Sequence, residues 1–423
     1  MPARAGGPTD PSHDEQLRRG LIKTEITRST AWVLVLTFLL AIFAVPLAQA
    51  YLERREDEES PLLELFRRAP TAENLRQVEK DVEEASYPKA FVQPRLQLLL
   101  TEFGRVGNKL AIVGQKGWLY YKPGVLHVGG PGFLDHNLHA VREKEALDAG
   151  EPPIAADPRP AILGFHRALS RRGIRLVLLP VPDKAALAAQ HLHGRAVGER
   201  WPRNPDYDAL LEQLRQQGVA VVDAREGLGA PPKELFLIQD THWTPAFMQR
   251  VAQNLARYLE QIVELPSVGT PPFKAVPQSV SRVGDLVDML KLPDDQALFL
   301  PQSVTVEQVQ DGSGAPWEPD AKADVLLLGD SFTNIFTLEG MGWGVSAGLG
   351  PQLALALRRP LDVIAQNDSG AFATRQALAR ELGAGSDRLA GKRVVVWQFA
   401  SRELSVGDWK LMDYALSTPP EAP

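Results

Sequence analysis

Twenty consecutive residues near the N-terminus carry no charge, and this run limits the structure of the chain more than any other feature. It covers residues 31–50 and reads AWVLVLTFLLAIFAVPLAQA. A helix of that length rises about 30 Å, which matches the hydrocarbon core of a bilayer. A backbone that crosses lipid must satisfy its own hydrogen bonds, so such a run is predicted to be helical. We predict a transmembrane anchor at residues 30–51.

The charges on either side of this run predict its orientation. Arg18, Arg19, Lys23 and Arg28 precede it, whereas Glu53, Glu56, Asp57, Glu58 and Glu59 follow it, with Arg54 and Arg55 among them. Basic residues before a span favour an N-terminus in the cytoplasm. We therefore expect a single-pass protein of the inner membrane, with a cytoplasmic tail at residues 1–29 and the bulk of the chain in the periplasm. The alternative is a cleaved signal peptide, because Ala48-Gln49-Ala50 has the form of a cleavage site.

Composition excludes several classes of function. The chain has 423 residues, enough for a full-sized core, and a net charge of -6, which argues against nucleic acid as a partner. It has no cysteine, so disulfides, zinc–thiolate sites and cysteine nucleophiles are excluded. The sequence has no Gly-rich phosphate loop and no His-Glu-x-x-His motif. We therefore expect neither a cofactor nor a metal.

From about residue 105, short apolar runs alternate with helical patterns. This alternation predicts an α/β domain whose mostly parallel sheet is buried on both faces. The predicted strands are 175–181, 219–222, 235–238, 325–328, 361–364 and 394–397, and the predicted helices are 161–172, 207–217, 245–265, part of 334–357, and 374–382. The full predicted division is the tail 1–29, the anchor 30–51, a helical stalk 52–104, a catalytic domain 105–410 with an insertion at 266–320, and a tail 411–423.

A serine follows one of these predicted strands. The sequence GDSFT places Ser331 directly after the apolar run 325–328 and before a helical pattern. Ligands of open α/β sheets bind at the carboxyl ends of the strands, and N–H groups at a helix start can stabilise an oxyanion. Ser331 is therefore a candidate nucleophile. The alternative is that Ser331 merely caps the helix.

A base and an orienting acid come earlier in the chain. The sequence DTHWTP places Asp240 and His242 two residues apart, and Thr244 and Pro245 form a typical helix start. A serine nucleophile needs a base, and a carboxylate fixes the tautomer of a histidine base. The alternatives are a surface loop or half of a metal site, which would need a third ligand.

Together these motifs resemble the SGNH hydrolase-like domain of the alginate O-acetyltransferases, the AlgX and AlgJ type. That type has the Asp-x-His pair before the serine, the permuted order found here, whereas typical SGNH hydrolases have the serine first. Further matching segments are GQKGWLY at 114–120, VPDK at 181–184, and VVWQ at 395–398 with REL at 402–404. The membrane-anchored AlgJ arrangement fits best, because no carbohydrate-binding module follows the domain. The resemblance implies a flavodoxin-like sheet with helices on both faces, preceded by the transmembrane helix.

The resemblance also implies residue roles. Ser331 aligns with the nucleophile, His242 with the base and Asp240 with the acid. Asn367 and Gly370, after the predicted strand 361–364, are candidate oxyanion donors. Arg402 matches a family position whose role stays open between site and structure. Gln398 stands where the family commonly has Glu, so any role of that carboxylate is in doubt here.

The implied function is O-acetyl transfer to a bacterial exopolysaccharide, alginate-like or other, through an acyl-serine. The resemblance implies a membrane-bound O-acyltransferase as the acetyl supplier. One alternative is a carbohydrate acetylesterase with the same three residues. Another is a non-catalytic glycan-binding component of an envelope complex, which separated Ser, His and Asp side chains would favour.

Overall fold

The computed structural model of the chain describes residues 27–56, 60–67, 69–193, 202–226, 228, 234–267, 269 and 273–416. The predicted tail at 1–29 lies outside the described residues up to residue 26, and the predicted tail at 411–423 does so from residue 417. The chain divides into two compact units, one ending at Pro94 and the other beginning at Arg95. The domain bounds predicted from the sequence stay predictions.

The first unit is helical. Its helices are α1 (Arg28–Arg55), α2 (Glu64–Arg67), preceded by a 3₁₀ turn at Pro61–Leu63, and α3 (Ala72–Glu84), and α4 (Tyr87–Gly104) contains the boundary between the units. The side chain of Thr27 caps α1 by accepting a hydrogen bond from the N–H of Thr30. Within the described residues, α1 is the one helix long and apolar enough to cross a membrane. The predicted apolar helix is confirmed.

The second unit alternates strands and helices. Its strands are β1 (Ala111–Val113), β2 (Leu119–Tyr121), β3 (Arg175–Val181), β4 (Ala220–Val221), β5 (Lys274–Arg282), β6 (Gln302–Gln310), β7 (Val325–Gly329), β8 (Asp362–Ala365) and β9 (Val394–Ala400). Its helices are α5 (Lys122–Gly129), α6 (His136–Asp148), α7 (Pro158–Ser170), α8 (Lys184–Leu187), α9 (Gln190–His193), α10 (Tyr207–Gln216), α11 (Pro245–Ile262), α12 (Asp285–Leu290), α13 (Ser331–Asn334), α14 (Leu349–Leu357), α15 (Gly370–Gly383) and α16 (Glu403–Val406), with a 3₁₀ turn at Glu339–Met341.

Five parallel strands form the central sheet in the order β4-β3-β9-β7-β8. The strand β9 lies in the middle and pairs along its length with β3 and over its first half with β7. Because all five strands run in the same direction, the segments that follow them meet at one edge of the sheet. That edge receives the residues after β3, β7, β8 and β9.

Alternate side chains of the sheet enter two different hydrophobic clusters. Val177 and Leu179 of β3 pack with α11 and α14 on one face, whereas Leu176 and Leu178 pack with α7, α10 and α15 on the other. A strand that is buried on both faces explains why the run 175–181 has no polar alternation. The predicted α/β fold with helices on both faces is confirmed.

One predicted strand is wrong. Residues 235–238 form no strand of the sheet, and Phe236 makes only an isolated bridge to Trp243. The backbone folds back on itself, so that the N–H of Leu237 bonds to the carbonyl of His242 and the N–H of Thr244 to that of Leu235. The run is apolar because Leu235, Phe236 and Leu237 pack into the core, and this packing mimics the pattern of a buried strand.

Two antiparallel hairpins lie outside the central sheet. The strands β1 and β2 pair over three residues, and β5 and β6 pair over nine. The second hairpin and α12 fall within the predicted insertion at 266–320, whose Pro, Gly and Ser content did not indicate strands. The insertion contributes α12 to the region around the site described next.

Candidate active site

Ser331 is the first residue of α13, directly beyond the carboxyl end of β7. The N-cap of α13 is Asp330, whose Oδ1 accepts a hydrogen bond of 2.9 Å from the N–H of Phe332. The alternative that Ser331 merely caps the helix is therefore wrong. The cap position is already filled, and the Ser331 hydroxyl is available for another contact.

Buried contacts fix the turn that presents this serine. Gln398 of β9 donates from Nε2 to Asp330 Oδ1 over 2.7 Å, and its Oε1 accepts from the Asp330 N–H and from the Thr333 hydroxyl. The other Asp330 oxygen accepts a bond of 2.7 Å from the N–H of Ala400. Gln398 thus positions the turn as a neutral donor and acceptor. A carboxylate at 398 would face that of Asp330.

His242 is held at the start of α11. Thr244 caps this helix by accepting a bond from Phe247 N–H, and Pro245 occupies the first position, as predicted. Between them and the histidine, Trp243 donates from Nε1 to the carbonyl of Phe332 over 3.1 Å. This bond ties the histidine segment to the serine segment.

The histidine ring joins the predicted acid and nucleophile. His242 Nε2 lies 2.8 Å from Ser331 Oγ, and His242 Nδ1 lies 2.6 Å from Asp240 Oδ1. All three side chains are buried. A proton on Nδ1, bonded to the carboxylate, leaves Nε2 free to accept the serine proton. The three groups are within hydrogen-bond reach, so the arrangement that would favour a non-catalytic component is not found.

Four donors surround the Asp240 carboxylate. Its Oδ1 accepts from His242 Nδ1 and from the His242 N–H, and its Oδ2 accepts from Trp343 Nε1 at 2.9 Å and the Asp285 N–H at 3.1 Å. Burial disfavours its charged form, but the bonds and charge of His242 outweigh burial and lower the pKa of Asp240 to about 2. Asp240 is therefore ionised at any pH at which His242 can act as a base.

The structure adds a second carboxylate that the sequence did not reveal. Asp285, on α12, accepts the N–H of Thr241 at 2.7 Å, and its Oδ2 lies 3.8 Å from His242 Nδ1. Burial and the neighbouring Asp240 raise the pKa of Asp285 to about 6. Burial alone would lower the pKa of His242, but the bond to Asp240 and the charges of Asp240 and Asp285 raise it above the usual value.

Asp240, His242 and Asp285 also form the three-residue group that a metal site would require. The oxygens of Asp240, however, already accept four hydrogen bonds, and His242 Nδ1 faces one of those oxygens directly. A cation at this point would have to displace donors from the acid. The contacts are those of a hydrogen-bonded acid–base pair.

Replacing Asp285 with Asn is expected to lower the pKa of His242. The amide keeps an oxygen for the Thr241 N–H but removes a negative charge that favours the imidazolium. Titration of the His242 ring by NMR, assigned through its loss in His242→Gln, measures the shift. Asp368→Asn is the control, since Asp368 lines the same pocket without being among the charges that shift His242. An unchanged or higher pKa in Asp285→Asn would contradict this electrostatic role.

A pocket of about 450 Å³ opens over Ser331 and His242, and Asn367, Gly370 and Arg402 all line it. Asn367 Oδ1 accepts a bond of 2.8 Å from Asn334 Nδ2, which turns its own amide N–H groups the other way. Gly370 begins α15, and an added Cβ there would lie 2.2 Å from Asp330 Cβ, so only glycine fits. In the part of the chain that the structure describes, no group accepts a bond from the N–H of Ser331 or Gly370.

Arg402 is the guanidinium of this pocket. It lies over the rings of Tyr121 and Phe332, and its Nη1 donates to Asp183 Oδ1 at 3.1 Å. Its neighbour Glu403 also lines the pocket, and burial raises the pKa of Glu403 to about 7, against the opposing effect of Arg402. Arg402 therefore lies in the site, although its charge is shared with nearby carboxylates.

Comparisons with known proteins agree with this fold. A probable alginate O-acetylase AlgJ of Pseudomonas aeruginosa is 25% identical over 338 residues, which cover 76% of this chain and 78% of that protein. Its counterpart in Pseudomonas syringae pv. tomato is 27% identical over 289 residues, or 65% of this chain and 70% of the relative. The solved O-acetyltransferase domain of Pseudomonas putida AlgJ superposes with a TM-score of 0.50 and 22% identity, covering 71% of this chain and 93% of that domain.

A family model places the chain more firmly. The model describes the SGNH hydrolase-like domain of the acetyltransferase AlgX, and it matches residues 111–401. The match includes the whole central sheet, the Asp240–His242 segment and Ser331. Since it covers well over half of the sequence, the chain belongs to the family of AlgX-type SGNH hydrolase-like acetyltransferase domains.

Proposed function

We propose that this protein is a polysaccharide O-acetyltransferase that uses Ser331 as nucleophile, His242 as base and Asp240 as orienting acid. The main support is the continuous hydrogen-bond chain from the Asp240 carboxylate through the His242 ring to the Ser331 hydroxyl, with distances of 2.6 and 2.8 Å. Membership in an acetyltransferase family supports acetyl as the group transferred.

In the first half-reaction, Ser331 Oγ attacks the carbonyl carbon of an acetyl donor while His242 Nε2 takes the hydroxyl proton. The tetrahedral intermediate collapses to acetyl-Ser331, and the imidazolium returns the proton to the departing group. Asp240 stays ionised throughout and stabilises the imidazolium. No metal or cofactor is required for either step.

The developing oxyanion needs donors near Ser331. The backbone N–H groups of Ser331 and Gly370 and the side-chain amide of Asn367 are the candidates, because all three line the pocket. Gly370 also lets α15 approach Asp330, which brings the two N–H groups to the same edge of the sheet. Such donors lower the barrier because they are oriented before the charge forms.

In the second half-reaction, His242 deprotonates a sugar hydroxyl, which attacks acetyl-Ser331 and leaves as the acetyl ester. Water in place of the sugar would give an acetylesterase. The pocket is open enough to admit a sugar ring, since its volume is about 450 Å³. The names of the AlgJ relatives support transfer to a polysaccharide over hydrolysis.

The charge of the pocket bears on the choice of polymer. Its carboxyl groups belong to Asp285, Asp330, Asp368 and Glu403, and its guanidinium belongs to Arg402, which already binds Asp183. A uronate acceptor such as alginate would bring further carboxylates into this surrounding. We therefore expect an uncharged oligosaccharide to be acetylated faster than an oligouronate at low salt, with a smaller difference when salt screens the charges.

The proposal includes a location. The helix α1 would anchor the enzyme in the inner membrane, with the N-terminus in the cytoplasm and the catalytic domain in the periplasm. A membrane-bound O-acyltransferase would supply acetyl groups from across the membrane. Anchoring both proteins in one bilayer would raise their effective concentration.

The test uses the full-length protein in detergent with p-nitrophenyl acetate as donor and either a cello-oligosaccharide or an oligomannuronate as acceptor. Released acetate and the mass of the sugar are followed together. Acetylated sugar, with less acetate released per donor consumed, is the expected result. Acetate release that is the same with and without every acceptor, and no acetylated sugar, would contradict the transferase and support the esterase.

A further inference from the structure

The Asp240–His242 segment is not part of the sheet, so something else must hold it in place. The amine of Lys184 does so. Its Nζ donates to the carbonyl of Ile238 at 2.7 Å and to the carbonyl of Asp240 at 3.0 Å. Lys184 begins α8, directly beyond the carboxyl end of β3, and is only 4% exposed. A buried lysine therefore replaces the strand pairing that residues 235–238 lack.

The surroundings of Lys184 suit a charged group with few carboxylate partners. Its Nζ lies 5.0 Å from the centre of the Trp118 ring and 5.3 Å from that of Tyr120, distances typical of cation–π contacts. Asp240 and Asp285 are the acids whose charges act on it. Burial lowers its pKa to about 7, against the opposing effect of those acids. A neutral amine still has two N–H groups, enough for both carbonyls.

We propose that Lys184 is a positioning residue, which fixes the Asp240 carboxylate against His242 by holding the main-chain carbonyls of Ile238 and Asp240. The adjacent Asp183 acts on the other side of the pocket, where it accepts bonds from Arg402 and Ser401. The Pro-Asp-Lys sequence after β3 thus supports both halves of the site. The kinetic part of this inference rests on the proposed function, whereas its spectroscopic part does not.

A matched control exists elsewhere in the fold. Lys392 is also a buried lysine that donates to two carbonyls, those of Ala321 and Ala323, and it pairs with Asp362 at 3.1 Å. It precedes β9 and so lies at the amino end of the sheet, opposite the pocket. Substitution of either lysine by methionine keeps the aliphatic stem and leaves two buried carbonyls without a donor. The two variants should therefore lose similar stability.

The test compares Lys184→Met with Lys392→Met in the full-length protein. Three quantities are measured: the thermal midpoint, the downfield NMR signal of the proton on His242 Nδ1, and kcat and KM for p-nitrophenyl acetate. We expect Lys184→Met to lose or broaden that signal and to lower kcat by about 10²-fold, as small misplacements of catalytic groups do, with KM within about twofold. Lys392→Met should keep the signal and kcat although it is destabilised.

Other outcomes overturn the proposal. A folded Lys184→Met that keeps both the His242 signal and kcat would show that the lysine does not position Asp240. Equal losses of both in the two methionine variants would show a general effect of destabilisation. If Lys184→Met does not fold, Lys184→Gln replaces it, because its shorter amide can reach one carbonyl at most, and an unchanged signal there would equally overturn the proposal. A wild-type protein without esterase or transferase activity would refute the proposed function but leave the NMR comparison valid.

Discussion

Replacing Ser331 with alanine is expected to abolish acetyl transfer, with turnover lowered by at least about 10⁴-fold. The variant removes the oxygen that would form the acyl intermediate, and neither Thr333 nor any water would occupy its place against His242 Nε2. The fold should persist, because the N-cap of α13 is Asp330 and not the serine. Acetylated oligosaccharide and released acetate, measured as for the wild type, report the loss.

The control is Ser346→Ala. Ser346 is a buried serine whose hydroxyl donates to the carbonyl of Trp317, and it does not line the pocket. Its replacement should cost about 1 kcal/mol of stability and leave turnover unchanged. Ser331→Ala protein that is folded and still transfers acetyl at more than a tenth of the wild-type rate would exclude the serine as nucleophile.

The second large effect is expected from Asp240→Asn, which should lower kcat by about 10⁴-fold, as the equivalent change does in a serine protease. The amide can no longer accept bonds at both oxygens, so the histidine loses the partner that keeps the proton on Nδ1. Without the negative charge the pKa of His242 should also fall. Progress of p-nitrophenyl acetate cleavage over a range of pH measures both consequences.

Asp362→Asn is the matched control for that change. Asp362 is a fully buried aspartate at the start of β8, where it bonds Arg388 and pairs with Lys392. Losing that charge should destabilise the protein without altering kcat of the folded fraction. The orienting role of Asp240 fails if Asp240→Asn keeps kcat within tenfold of the wild type while the control behaves as stated.

The parts of the site that follow local patterns could be predicted from the sequence. A buried strand, a tight polar turn and a helix start place Ser331, and a Thr-Pro helix start places His242 one residue before its cap. These features depend on residues a few positions apart, so the pattern shows them directly. The prediction that Asp240, His242 and Ser331 converge needed the family resemblance, because 89 residues separate the histidine from the serine.

The rest of the site depends on contacts between distant segments, which periodicity does not reveal. Trp343 reaches Asp240 from 103 positions away, and Asp285 reaches Thr241 from 44. The run 235–238 looked like a strand because core packing and sheet pairing both select apolar side chains. Lys184 appeared merely structural in the sequence, since only the fold shows that its amine binds the carbonyl of the orienting acid.

The most direct test of the central claim is to trap the acetyl group on the enzyme. Full-length protein is mixed with p-nitrophenyl acetate in the absence of any sugar, quenched in acid within the first turnover, digested, and examined by mass spectrometry. We predict acetylation of Ser331 in the peptide that contains the GDSFT sequence, and its disappearance when an acceptor oligosaccharide is added before the quench. Acetyl transfer to sugar with no acetyl-Ser331 at any quench time, or acetylation at another residue that turns over instead, would contradict the account.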